Sequence, residues 1–150
     1  MSFESEFKLE SSNAIKATQE VTRVTAISLF TGIIKSSPVG NTSLWKTQYP
    51  PSGYVGGNFR SSWFMSTGTP SSETTDSTRE QAARLREVVA IATDAYSSSY
   101  WLTNNLPYGT AIEGGHSKQA PTGVIAPQQA LVNKKIARFQ KVADKKYGVA

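Results

Sequence analysis

The sequence predicts a single α+β domain in which a small, mostly antiparallel sheet is packed by N-terminal, central and C-terminal helices, with long loops. Three observations favour this class. Apolar residues recur at three- and four-residue steps in three segments, which is the spacing of one helix face. Short runs of β-branched and aromatic residues lie between those segments, which is typical of strands. A length of 150 residues is that of one ordinary domain.

The first helix is predicted over residues 13–35. Asn13 is a suitable N-cap, and the apolar residues that follow at helical spacing are Val21, Val24, Ile27, Phe30 and Ile34. Residues 1–12 are mostly acidic and polar, so we expect a flexible N-terminal arm ahead of one domain over residues 13–150. The arm lacks the apolar core of a signal peptide, and no run of eighteen apolar residues occurs. The sequence therefore predicts neither secretion nor membrane insertion.

Residues 36–57 are rich in Ser, Pro and Gly and are predicted to form a long loop. A loop of this length is unusual in a compact domain and is more often functional or ordered by a partner. Three aromatic residues lie in it: Trp45, Tyr49 and Tyr54. They either pack on the core of their own domain or contact a neighbouring subunit, since Tyr and Trp are enriched at interfaces.

Two longer strands and one short strand are predicted for the sheet. Residues 58–67 alternate in character and place four side chains on one buried face: Phe59, Ser61, Trp63 and Met65. Residues 96–103 form the second predicted strand. Residues 122–126 are expected to form a short return strand that pairs with it.

The central helix is predicted to begin at a capping box. Ser77 and Glu80 have the spacing at which each side chain binds a free backbone N–H of the first turn. Glu80 and Arg84 are four residues apart and are expected to pair on the outer side. The residues expected on the inner side are Leu85, Val88, Val89, Ala92 and Ala95.

Residues 101–125 contain the densest turn chemistry of the chain. Asn104 precedes a turn that ends the second strand, and Pro107 suits the first position of a short helical turn over residues 108–113. Gly114 and Gly115 are expected to end that turn through positive φ. Glu113 is expected either to bind nearby backbone N–H groups or Lys118, or to form a salt bridge between subunits.

The last helix is predicted from Pro127 to about Tyr147, with Gly148 as its terminator. Its apolar side holds Val132, Ile136, Phe139 and Ala143. Four cationic residues, the basic stripe, lie about 200° away around the helix: Lys134, Arg138, Lys141 and Lys145. The stripe is either a solvated face or an electrostatic surface for a DNA-containing channel or an acidic partner ring.

Net charge is concentrated in that last helix. Residues 127–150 contain six Lys or Arg residues and one Asp, a net charge of +5, and the whole chain also has a net charge of +5. The rest of the chain is therefore neutral. Basic character belongs to one terminal element.

The residue types that most enzymes and metal sites require are scarce. The chain has no cysteine and a single histidine, His116, so no catalytic set, no metal site and no cofactor site is predicted. The absence of cysteine is also compatible with a reducing cytoplasm. We therefore do not expect an enzyme.

Two segments resemble a known family in their order along the chain. Residues 57–63, GNFRSSW, are the first motif. Residues 104–123, which contain NNLPYG, then EGG, then QAPTG, are the second motif. Together they resemble the minor tail or neck (tail-completion) proteins of long-tailed bacteriophages. Gly109 stands where that family usually has alanine, and the N-terminal third of the chain is similar only in being helical.

The resemblance implies a virion structural protein at the head–tail junction or at the top of the tail. Such a protein forms a homo-oligomeric ring, here expected to hold six or twelve copies, and is assembled in the host cytoplasm. Its expected neighbours are the head-closure or adaptor protein, the tail terminator and the tail tube, with possible non-specific contact to packaged DNA. Expected subunit contacts involve the long loop over residues 36–57, through Trp45, Tyr49 and Tyr54. They also involve the second motif at Asn104, Pro107, Tyr108 and Glu113.

The alternative from another functional class is a small basic DNA-binding module that uses the C-terminal helix. Aromatic residues are not interleaved with the charges of the basic stripe, so single-strand binding is not favoured. Ring formation separates the two hypotheses, because a DNA-binding module should bind DNA as a small species.

Overall fold

The computed structural model describes residues 2–40 and 56–150. Within those ranges it contains, in chain order, α1 (Phe3–Ser36), α2 (Asn58–Ser61), β1 (Trp63–Thr67), α3 (Gln81–Thr93), β2 (Tyr100–Asn104), α4 (Gly109–Glu113), α5 (Ile125–Asn133) and α6 (Ile136–Tyr147). The α+β class is confirmed. Trp45, Tyr49 and Tyr54 lie outside the described residues.

Helix α1 is ten residues longer at its start than the sequence predicts. Ser2 caps it, and the Ser2 Oγ accepts the backbone N–H of Ser5 at 3.3 Å. Glu4 lies in the first turn, where a negative charge is favourable, and pairs with Lys8 at 2.8 Å. Asn13 is therefore an interior residue and not the N-cap. The segment predicted as a flexible arm is a helical extension whose residues up to Glu10 are all exposed.

The sheet consists of β1 and β2, which pair antiparallel with Met65 opposite Leu102. The first predicted strand was too long, because residues 58–61 form the helical turn α2. Gly57 starts that turn with φ 116°, and the Ser62 Oγ donates to the Asn58 carbonyl at 2.6 Å. The predicted return strand over residues 122–126 was wrong, because helix α5 already begins at Ile125.

The core lies where α1, α3 and the sheet meet. Its buried members include Ile33 and Ile34 of α1, Trp63 of β1, and Val88 and Ala92 of α3. On α3 the inner side is narrower than predicted. Val89 lies about 100° round the helix from Val88 and is exposed, and Ala95 lies beyond the end of the helix and is also exposed.

The capping box predicted for α3 does not form. The helix begins at Gln81. The Glu80 N–H donates to the Oγ of Ser61, a residue distant in sequence, at 3.0 Å. Arg84 pairs with Glu87 at 2.8 Å and not with Glu80. Its guanidinium lies 4.4 Å from the centre of the Phe64 ring, so it packs over β1. Tertiary contacts replace the local cap.

The predicted C-terminal helix is two helices, α5 and α6, separated at Lys134 and Lys135. The Lys135 N–H bonds to the Val132 carbonyl at 2.8 Å, a tighter turn than that of an α-helix. Pro127 is the third residue of α5 and not the first. Gly148 ends α6 with φ 68°, as predicted.

Helix α6 packs along α1 rather than on the sheet. Lys146 in its last turn bonds Glu20 of α1 at 2.9 Å, and Ala143 is buried in the contact. The end of α3 lies nearby, since the Arg23 Nη2 donates to the Asp94 carbonyl at 3.2 Å. The body of the domain thus begins close to residue 17, the first buried position of α1. No helix in the described ranges is long and apolar enough to cross a membrane.

Candidate subunit interfaces and basic surface

The first motif fastens β1 to the end of α1. The Arg60 Nε and Nη2 donate to the Ser37 carbonyl at 3.0 and 2.6 Å. The Trp63 Nε1 donates to the Ser37 Oγ at 2.8 Å. A side chain at Gly57 would meet the Thr78 carbonyl oxygen, and φ 116° is itself unfavourable for any other residue. Gly57, Arg60 and Trp63 of the first motif therefore each stabilise the fold.

Ser37 is the residue at this junction that sequence reasoning missed. It is completely buried, and its hydroxyl also donates to the Ile33 carbonyl at 2.8 Å. A serine in a Ser-Ser-Pro run resembles loop composition, and its two long-range donors, Arg60 and Trp63, come from later in the chain. Nothing local in the sequence indicates this role.

The second motif begins with two asparagines that fix the end of β2. The Asn104 Nδ2 donates to the Phe59 carbonyl at 2.9 Å, and its Oδ1 accepts the Leu106 N–H at 3.1 Å. The Asn105 Nδ2 donates to the carbonyls of Ser71 and Glu73 at 2.9 and 3.0 Å. The Asn104 contact joins the second motif directly to the first.

Glu113 caps helix α5. Its carboxylate accepts the backbone N–H groups of Val124, Ile125 and Ala126 at 2.8, 3.0 and 3.1 Å. Of the alternatives for Glu113, binding to backbone N–H groups is confirmed. Partial burial by itself raises the pKa of this carboxyl, but the three N–H donors together outweigh it, and the pKa lies below the ordinary value of 4.5.

Replacing Glu113 with glutamine is expected to lower the free energy of unfolding at pH 7 by about 1–2 kcal/mol, since the N-cap loses its charge. A carboxyl with a depressed folded-state pKa stabilises above its unfolded pKa, and that stabilisation is lost as pH falls through the folded value. The unfolding free energies of the wild type and the glutamine variant should therefore converge in acid. The measurement is chemical unfolding of both proteins from pH 7 to pH 3. A difference between them that did not change with pH would contradict a role for the ionised carboxylate.

Only one of the two predicted turn glycines has positive φ. Gly115 has φ 88°, and a Cβ there would lie 2.5 Å from the Pro121 carbonyl oxygen. Gly114 has φ −73°, so the prediction of positive φ was wrong for it. Its N–H closes the last turn of α4 on the Thr110 carbonyl, which an ordinary helical residue can also do. Gly123 has φ 86° and lies against the Glu113 side chain.

The end of the second motif binds the chain at Val39, near the end of the first described range. Gln119 binds the backbone of Val39 twice, through its Nε2 to the carbonyl at 2.6 Å and through its Oε1 from the N–H at 3.2 Å. Gly40 and Gly56, the residues at which the two described ranges end and resume, lie against each other, since a Cβ on Gly56 would meet the Gly40 carbonyl. The second motif therefore fixes the chain one residue before Gly40.

The predicted interface residues of the second motif fall into two groups. Asn104 and Glu113 direct their side chains to backbone groups of their own chain, as described above. Pro107 and Tyr108 are exposed. The Tyr108 ring also packs on Phe59, with 6.0 Å between ring centroids. Of the four predicted interface residues of this motif, Pro107 and Tyr108 are thus the two that are exposed.

The basic stripe lies on the outer surface of α6 and the preceding turn. All four side chains, Lys134, Arg138, Lys141 and Lys145, are exposed. No carboxylate of the described ranges lies within ion-pairing distance of any of them. Val142, which is 63% exposed, lies beside them. On α6 the exposed Arg138, Lys141 and Lys145 lie away from the buried Ala143, as predicted, but Ile136, which was predicted on the buried side, is 38% exposed. Lys134 is the C-cap of α5 and is not on the same helix as the other three.

The N-terminal extension of α1 is a second exposed surface, and sequence reasoning did not find it. Phe3 is 83% exposed, Phe7 is 61% exposed, and their rings stack with 6.3 Å between centroids. Ile15 is 58% exposed further along the same extension. The cap at Ser2 and the i,i+4 pair of Glu4 and Lys8 were the available signals for this helix.

The described ranges contain no group of three His, Asp or Glu side chains that could hold a metal ion. The polar side chains of the two motifs bind backbone groups and structural hydroxyls. These contacts stabilise loops and helix ends.

In comparisons with known proteins, no family model, curated protein or solved structure matches this chain.

Proposed function

We propose that the chain is a structural protein of a bacteriophage virion, placed at the head–tail junction or at the top of the tail. There it forms a ring that completes the tail and connects it to the head. The observation that carries the proposal is the junction of the two motifs. They are separated by about forty residues in sequence, yet Asn104 of the second motif binds the Phe59 carbonyl of the first at 2.9 Å. Segments that resemble the same family therefore form one unit.

Exposed surface supports an assembled state. Residues 3–16 of α1 precede its first buried position, Ala17, and span about 21 Å along the helix axis. The stacked rings of Phe3 and Phe7 lie on that segment. A partner that covers them would remove apolar surface from water, which is the main favourable term in association.

The expected ring contains six or twelve copies. Its proposed neighbours are the head-closure or adaptor protein on one side, and the tail terminator or the tail tube on the other. Packaged DNA passing through the ring would meet a non-specific, positively charged surface if the basic stripe faces the channel. This arrangement requires no catalytic or cofactor chemistry.

The test is electron microscopy of particles with and without the chain. We expect purified particles to show a cyclic ring of six or twelve copies at the junction. Particles made without the chain should accumulate as separate heads and tails. Absence of the chain from purified particles would contradict the proposal. If the free monomer instead bound duplex DNA with an affinity that fell steeply with salt, the DNA-binding alternative would replace it.

A further inference from the structure

We infer that the N-terminal helical extension of one copy docks on the basic stripe of a second copy. The extension, residues 3–16 of α1, is called the acidic arm below. This inference rests on the proposed ring only in that a ring places copies side by side. The contact itself follows from the charge, the apolar side chains and the direction of the two surfaces.

The acidic arm combines negative charge with exposed aromatic surface. Its residues, 3–16, contain three glutamates and two lysines, a net charge of −1, and one of the glutamates, Glu4, pairs with Lys8 at 2.8 Å. Glu4 and Glu10 lie on either side of Phe7 at helical spacing, each about 60° away. Ile15 lies two turns further along the same side. One face of the arm therefore carries Phe7 and Ile15, with Glu4 and Glu10 beside Phe7 and with Lys8 and Lys16 along the same groove.

The basic stripe has the complementary arrangement. Val142 is exposed between Arg138 and Lys146 around helix α6, so an apolar side chain lies within the positive surface. Ile136, at the start of the helix, is also partly exposed. Helix α6 has 12 residues and is about 18 Å long, close to the length of the arm. Glutamates in the first half of the arm, at positions 4, 6 and 10, can thus pair with cationic side chains of the stripe.

The arm cannot reach the stripe of its own chain. Helix α6 packs on α1 through Ala143, and its last turn bonds Glu20. The arm is the part of α1 that precedes that contact, next to the end of α6. The stripe faces away from α1, because Lys141 lies about 160° round α6 from Ala143. The occupant of the stripe is therefore the arm of another copy.

Contact between two different surfaces of the same chain is heterologous, and repeated rotation closes it into a ring. The twofold alternative, arm against arm, would leave the basic stripe uncovered, and the cross-linking test below distinguishes it. One helix on one helix is smaller than the interface of a stable complex. Each subunit of a closed ring makes the contact twice, once with its arm and once with its stripe. The single contact between two free chains is then weak, and closure of the ring stabilises it.

The absence of cysteine in the chain allows a direct test by disulfide cross-linking. Ser11→Cys lies on the apolar side of the arm between Phe7 and Ile15, and Val142→Cys lies within the stripe. Ser5→Cys is the matched control, since it lies about 160° round the arm from Phe7. Full-length single-cysteine proteins are mixed in pairs and oxidised at increasing concentration. Peptide mass spectrometry then identifies which two residues are joined.

We expect the Ser11→Cys and Val142→Cys pair to give roughly tenfold more mixed dimer than the Ser5→Cys and Val142→Cys pair, since docking raises the effective thiol concentration. The excess should fall in high salt. Equal yields from the two pairs, or dimers dominated by Ser11→Cys with itself, would overturn the inference. The same cross-link is sought in assembled particles that carry both substitutions. A ring without it rejects the contact and leaves the function, whereas the cross-link without a ring rejects the function and leaves the contact.

Discussion

Replacing Trp63 with alanine is expected to lower the free energy of unfolding by about 3–5 kcal/mol. The side chain is only 5% exposed and packs edge-on against Phe59, with 5.5 Å between ring centroids. Its Nε1 also donates to the buried Ser37 Oγ at 2.8 Å. The substitution therefore leaves a cavity in the core and removes a partner from a buried hydroxyl, and both changes cost stability.

The matched control is Trp101→Ala. Trp101 is on the paired strand, is 42% exposed, and donates its Nε1 to the Gly68 carbonyl at 3.1 Å. The Trp101→Ala variant loses the same indole ring from a surface site. Its unfolding free energy should therefore fall by less than about 1.5 kcal/mol. Denaturant unfolding followed by circular dichroism measures both. Equal losses for the two variants would show that the first motif does not hold the core together.

The same core shows why some elements are predictable from sequence. Val88 and Ala92 lie four residues apart on one helix, and both are buried because that spacing places them on one face. Gly148 is predictable for a similar reason, since the end of α6 requires positive φ within a few residues of the helix. These signals depend only on neighbours in the chain.

The elements that were predicted wrongly depend on distant residues. Glu80 has the spacing for a capping box with Ser77, but its N–H bonds to Ser61 instead. Residues 122–126 look extended in isolation, but the Glu113 carboxylate binds three N–H groups there and starts a helix. The residues next to these positions in the sequence do not indicate which distant residues will bind them.

The candidate surfaces follow the same division. The orientation of Arg138, Lys141 and Lys145 was predictable, because one helical period sets the buried and the exposed side of α6. The acidic arm was not, because its apolar side chains face no core of their own chain and so lack the pattern of a packed helix. Its only local signals are weak, namely the cap at Ser2 and the Glu4 to Lys8 pair at 2.8 Å.

Changing the whole basic stripe to glutamine is expected to leave folding intact and to reduce assembly. The four substitutions are Lys134→Gln, Arg138→Gln, Lys141→Gln and Lys145→Gln. Each side chain is exposed and has no carboxylate within ion-pairing distance in the described part of the chain. Such surface changes each move the unfolding free energy by no more than about 0.5 kcal/mol. The melting temperature of the isolated protein should change little.

In a ring the stripe is repeated once per subunit, so its summed field is much larger than that of one helix. The glutamine variant should therefore yield fewer joined or infectious particles. This defect should grow at high ionic strength, where the remaining attraction is screened. The measurement is particle yield at low and high salt beside the melting curve of the free protein.

The control removes the same amount of charge elsewhere on the surface. Its four substituted residues are all exposed and lie outside the stripe: Lys35, Arg79, Arg86 and Lys118. Changed to glutamine, they should leave assembly close to that of the wild type, because the effect depends on where the charge lies and not on the net charge alone. Equal assembly defects in the two variants would mean that only net charge matters. Wild-type yield from the stripe variant at both salt concentrations would make the stripe a solvated face.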